Sequence, residues 1–170
     1  MVETNEGNES SVDMEDAAAA APARKITVDL SADIGPIRDQ GKEGASVGFA
    51  FAYALQAEIK RVEGQSVSIS PRSIYVEAKR HDQWPGEDYT GTSVLGAFKA
   101  LEAVGAYSED EWPYERLHAP LENTQPGYRI VRYSVSDDSA TIDKIISALQ
   151  SGKTPIITVI VTTDFQTQNL

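Results

Sequence analysis

The chain has no cysteine. That excludes a disulfide framework and any thiolate metal site, and it fits a reducing compartment such as the cytoplasm. Basic residues are also scarce, with 15 Lys and Arg against 26 Asp and Glu and a formal net charge of −11. A surface of that sign repels polyanions, so neither nucleic acid nor an anionic membrane is expected as a partner. No stretch approaches the roughly 18 apolar residues of a membrane-spanning helix. The start of the chain lacks the basic residues and long apolar run of a signal peptide. There is no internal repeat.

At 170 residues the chain can bury a sizeable core as one domain, or one and a part. Residues 1–25 carry six acidic side chains and five consecutive alanines, Ala17 to Ala21. With so little apolar surface to offset ordering entropy, this segment reads as a disordered tail. The alternation from Ile26 to Leu30 predicts a short strand. Between Ser46 and Glu63 the residues Val47, Phe51, Ala54, Leu55, Ile59 and Val62 recur at helical spacing, and Gly64 supplies the stop. Ser70-Pro71 predicts a capped second helix running to about His81. Thr92 or Ser93 caps a third helix, whose apolar stripe from Val94 to Val104 ends at Gly105.

The periodicity then changes. Past an irregular, proline-bearing stretch to Gly127, Tyr128 to Val135 alternates as a strand. Ser139 to Gln150 reads as an amphipathic helix, and Pro155 to Val161 as a β-branched apolar strand. The order predicts an α+β fold, with a helical part over residues 26–127 and the beginning of a β-rich part over residues 128–170. A strand such as Ile156 to Val161 without partners would be an aggregation template, so another chain completing the sheet is one expectation. Trp84 and Trp112 read as partial core. The cluster Glu109, Asp110, Glu111 reads as a solvated face and not a metal site, and Asp137-Asp138 as the cap of the following helix.

Residues 40–50, Q-G-K-E-G-A-S-V-G-F-A, resemble the nucleophile loop and central helix of papain-like cysteine peptidases, whose signature is C-G-[SA]-C-[WY] shortly after a Gln. Gln40, Gly41, Gly44, Ala45 and Phe49 keep the frame, while Glu43, Ser46 and Val47 stand in place of both cysteines and the aromatic. Other segments agree in order. Residues 29–41 resemble the approach to that loop, Ser68-Ile69-Ser70-Pro71 the start of the next helix, and Thr90-Gly91-Thr92-Ser93 the glycine pair lining the cleft. Trp112-Pro113-Tyr114 resembles the segment closing the helical half, and residues 154–165 an early barrel strand. The version G-A-S-V-G-F-A, with valine and glycine after the nucleophile position, resembles the disulfide-free bacterial branch of the family.

The resemblance implies a papain-like helical subdomain followed by the opening of the β-barrel subdomain, truncated at Leu170. It also implies peptide-bond hydrolysis by acyl transfer as the family's reaction, with no cofactor and with a peptide or protein as ligand. Gln40 takes the oxyanion-hole role and Ser46 the nucleophile position. Gly91 and Thr92 would offer backbone hydrogen bonds to an extended peptide, with Ser93 and Val94 bordering the pocket for its second residue. The family places its catalytic His and Asn roughly 130 to 150 residues beyond the nucleophile, which leaves them no room here. A serine also needs a histidine base during attack. His81, at a helix end, and His118, in a loop, both lie outside the family's strand context. The expectation is an inactive site, with a noncatalytic pseudopeptidase or peptide-binding module as the alternative. Ser46 has a plainer reading as the cap of its helix.

Overall fold

A computed structural model describes residues 28–83, 89–120, 124–130, 133 and 142–159. The acidic tail, Trp84, Asp137-Asp138 and the far end of the last predicted strand lie outside the described residues. Four α-helices and one short 3-10 helix, Ser31–Asp33, make up the regular structure among them.

Helix α1 (Ser46–Glu63) runs through the middle of the fold and ends at Gly64, the predicted span. Its buried surface is wider than the predicted stripe. Val62 is 68% exposed, whereas Phe49, Ala52, Gln56 and Ala57, none of them on that stripe, are buried. A helix covered on more than one side must bury more than one stripe. Phe51 and Ala52 join a core with Ile69, Ile74, Ala78, Ala97 and Leu101, while Ala45 and Phe49 join Tyr75 in a second cluster.

Helix α2 (Pro71–His81) lies between α1 and helix α3 (Val94–Ala103). Ser70 caps α2 as predicted. Its Oγ accepts from the Ser73 N–H at 3.0 Å and donates to the carbonyl of Trp112. Ser70→Ala removes both bonds and is expected to cost about 2 kcal/mol in urea denaturation, the upper end for a lost cap. A cost under about 0.5 kcal/mol would contradict this account. Glycines set both helix crossings. A methyl on Gly48 would lie 2.5 Å from the Pro71 carbonyl oxygen, and one on Gly96 would lie 2.8 Å from that of Ala78. Of the two predicted caps for α3, it is Ser93 whose Oγ accepts from the Gly96 N–H, at 2.8 Å.

The chain from Gly105 onward wraps this helical core. Ile69 bridges Ser108 and Ala106 bridges Tyr128, both antiparallel. Trp112, 1% exposed, is full core and not partial core, and its Nε1 donates to the Arg116 carbonyl at 2.9 Å. Helix α4 (Ile142–Gln150) covers the described part of the predicted 139–150 helix. Among the described residues these single bridges are the only β pairing, because a strand exists only where a partner supplies its ladder. Residues 28–30 and 155–159 run without a ladder partner among the described residues. Ile156 packs against the core beside α1, while Ile157 and Val159 are exposed. No helix among the described residues is long and apolar enough to cross a membrane.

Candidate functional site

Ser46 is the first helical residue of α1 and is exposed. The capping position belongs to Ala45, whose side chain can accept no hydrogen bond, so the reading of Ser46 as the helix cap is corrected. The first amides of α1 consequently have no side-chain acceptor from the cap, and the helix dipole leaves that end electropositive.

The loop leading into α1 is tied down at several points. Asp39 Oδ1 accepts from the Gly41 N–H at 2.8 Å. The Gln40 carbonyl accepts from the Tyr114 hydroxyl at 2.8 Å. Glu43 is engaged through both oxygens, Oε1 to Arg72 Nη1 at 2.7 Å and Oε2 to the Tyr114 hydroxyl at 3.2 Å. Arg72 is 5% exposed. Its Nε donates to the Tyr114 carbonyl at 2.7 Å, and its guanidinium carbon lies 4.5 Å from the centre of the Tyr114 ring. Arg72 holds the Glu43 carboxyl below its ordinary value, against the opposing effect of burial. Burial, then the neighbouring Glu43 charge, push the Tyr114 phenol up to about 12.

A second arginine anchors the start of the loop. Arg38 Nη2 donates to the Ile69 carbonyl at 2.9 Å, and its Nη1 lies 2.8 Å from Glu109 Oε2. That contact meets off-axis, as an ion pair and not an aligned hydrogen bond. Glu109 Oε1 also accepts from the Tyr114 N–H, at 2.8 Å. Glu109 is thus a structural anchor and not part of a solvated face.

The second loop, residues 89–93, is organised by Asp82. This carboxylate, 9% exposed at the end of α2, accepts from the Tyr89 hydroxyl at 2.7 Å, the Thr92 hydroxyl at 2.6 Å, and both the N–H (3.1 Å) and hydroxyl of Ser93. Burial pushes Asp82 up, but the donors from Ser93, Thr92 and Tyr89 together outweigh it and hold the group below its ordinary value. The bond to Asp82 in turn raises the Tyr89 phenol to about 12. Lys79 Nζ donates to the Tyr89 carbonyl at 2.8 Å. Gly91 adopts φ +95°, a conformation that disfavours any side chain, and its N–H makes a long 3.3 Å bond to the Tyr75 hydroxyl.

The two loops abut. A methyl on Gly44 would lie 2.9 Å from the Gly91 nitrogen, so only a glycine admits this approach. The structure therefore brings the loop bearing Gln40 and Ser46 against Gly91. The Thr92 and Ser93 hydroxyls turn to Asp82, and Val94 packs against the core. His81 lines a hollow together with the second-loop residues Gly91, Thr92 and Ser93 and with Leu95 and Lys99, while His118 is exposed. On a different side of α1, an apolar groove of about 370 Å³ is lined by Leu30, Ile34, Tyr53, Leu149, Ile156 and Ile157 among others.

Arg72 and Asp82 do not stand out in the sequence, and Tyr114 does so only as part of Trp112-Pro113-Tyr114. Two signals could have found Arg72 and Asp82: a cation at the second position of a helix start, and a carboxylate followed at seven to eleven residues by the hydroxyl-rich run Tyr89 to Ser93.

No protein-family model matches the chain, and no curated protein sequence matches it. Solved structures are similar to it in fold. A structure from a study of the mite allergens Blo t 1 and Der p 1 aligns with a TM-score of 0.55 at 20% identity, covering 78% of this chain and 44% of that one. A digestive procathepsin L 3 from the larval midgut of Tenebrio molitor aligns at 0.48 and 19% identity, covering 65% of this chain and 37% of that one. The Carica candamarcensis cysteine protease CMS1MS2, in complex with E-64, aligns at 0.40 and 25% identity over 50% of this chain and 38% of that one. The fold is that of the helical subdomain of papain-like cysteine peptidases. The chain spans less than half the length of these structures.

Proposed function

We propose that the protein carries the nucleophile-side half of a papain-type peptide cleft and that, with serine at position 46, this cleft binds an extended peptide without hydrolysing it. The abutting backbones of Gly44 and Gly91 beside the uncapped start of α1 carry this reading. In peptidases of this fold such a site performs acyl transfer. Gln40 is the oxyanion donor, and Gly91, with Thr92, pairs with the peptide backbone by strand addition. Hydrolysis is not expected because a serine hydroxyl requires a base, and neither His81 nor His118 makes a hydrogen bond to Ser46 among the described residues. The protein is proposed to act in the cytoplasm, in keeping with its lack of cysteine.

Binding of an immobilised library of N-acetylated hexapeptides by the full chain tests the reading. Gly91→Val, which places a side chain at φ +95° on the cleft wall, is expected to weaken retention at least tenfold while the fold persists by circular dichroism. Equal retention by both chains, or retention by neither, would refute it. A second reading rests on the apolar groove and on exposed Ile157 and Val159. In it a partner chain completes the β subdomain, which light scattering of the purified chain would detect as a stable complex.

A further inference from the structure

Glu43 presents a physical problem. It lies three residues before position 46, next to a helix start whose amides lack a capping side chain. A free carboxylate there would be drawn to those amides and to the positive end of the helix dipole. It would then compete with any anionic or electron-rich group that the site is meant to stabilise. The contacts show what prevents this. Arg72 takes one oxygen and the Tyr114 hydroxyl the other. Arg72 cannot wander, because it is buried on the first turn of α2 with its Nε on the Tyr114 carbonyl and its guanidinium over the Tyr114 ring. The Tyr114 hydroxyl's single proton is shared with the Gln40 carbonyl, the nearer acceptor at 2.8 Å, so one cluster holds the loop at both Gln40 and Glu43. Lys79 adds a further attraction on Glu43 from the same helix, and the Tyr75 phenol faces the cluster through Tyr114.

We propose that Arg72 is a positioning residue for the loop that carries position 46: with Tyr114 it sequesters the Glu43 carboxylate and so keeps the start of α1 electropositive. The proposal rests on position 46 being the nucleophile position. It assigns Glu43, which stands where the family signature has its first cysteine, to an ion-pair tether between that loop and α2.

Because the chain contains no cysteine, Ser46→Cys introduces a single thiol at the point in question, and the pH dependence of its alkylation by iodoacetamide gives its pKa. In the full chain this thiol is expected to titrate below the ordinary value of about 8.5, as at other helix starts. Adding Arg72→Met should raise it by about one unit, or about tenfold less thiolate at a pH below both values. Adding Glu43→Gln to that double variant should bring the pKa back down, and Arg72→Lys should give an intermediate value. Mere loosening of the loop would not be repaired by removing the second partner. If Arg72→Met fails to fold, Arg72→Lys and Tyr114→Phe carry the test, each with an expected rise of a few tenths of a unit. An unchanged pKa in the Arg72 and Tyr114 variants, or no restoration by Glu43→Gln, would overturn the proposal. Peptide retention is read separately. Its loss alongside the full pKa pattern would sink the peptide cleft and leave the tether standing, while retained peptide with a flat pKa pattern would do the reverse.

Discussion

Gly48→Ala is expected to destabilise the protein by about 3 kcal/mol, at the upper end for overpacking, although it adds one methyl to a residue type that favours helix less than alanine does. The reason is where the methyl would go. It would lie 2.5 Å from the Pro71 carbonyl oxygen, 3.0 Å from Tyr75 Cβ and 3.3 Å from the Tyr75 nitrogen. Two of these atoms are backbone and the third is the stem of a buried side chain, so none can swing aside. Helices α1 and α2 must therefore separate. The shift would displace Tyr75, whose hydroxyl accepts from Gly91, and peptide retention should fall together with stability. Urea denaturation measures the first effect, and a loss under about 0.5 kcal/mol would show that the helices can part cheaply.

Asp82→Ala is expected to cost about 3 kcal/mol and to release residues 89–93 from α2. Removing the acceptor strands the Ser93 N–H and three hydroxyls, those of Tyr89, Thr92 and Ser93. Partly buried donors left unpaired are costly, although hydroxyls near the surface can turn to water and limit the sum. Asp82→Asn keeps the shape but not the charge, and should lose about half as much. The native group titrates below its ordinary value of 3.8, so it binds protons less readily folded than unfolded. The stability it contributes is present above that ordinary value and is lost as pH falls below it. Glu43 acts with the same sign through Arg72. The melting temperature of the parent should therefore drop on acidification below about pH 4, and Asp82→Asn should show a shallower drop. Identical acid profiles would rule out this role for Asp82.

The helical half was largely legible in the sequence. Caps and stops mark α1, α2 and α3 to within a residue or two, because Ser70-Pro71, Ser93 and Gly64 act through neighbours three or four positions away. Gly44 and Gly91, which lie in two separately quoted segments, meet in the structure, a contact that neither segment shows by itself. What could not be read was which polar side chains would be buried together. Glu43 finds Arg72 across 29 positions, Arg72 finds Tyr114 across 42, and Tyr114 finds Gln40 across 74. No local periodicity encodes such pairings. The stripe on α1 held at Val47, Phe51, Leu55 and Ile59 but was too narrow for a related reason: Gln56 is buried because its Oε1 accepts from the distant Ile69 N–H at 2.9 Å, a demand absent from its own helix. Ser46 was misread as a cap because the preference for serine there is statistical, whereas the turn at Ala45 is set by the loop before it.

Helix α2 holds one loop by its first turn, through Arg72, and the other by the capping residue just past its end, Asp82. The two anchors are ten positions apart, about 15 Å along a helix axis. A single stiff rod thus acts as a gauge between two otherwise irregular stretches of chain. Their spacing is fixed by a count of residues, so inserting or deleting one residue within α2 would shift and rotate one anchor against the other, changing the calibre of the gap while leaving both loop sequences untouched.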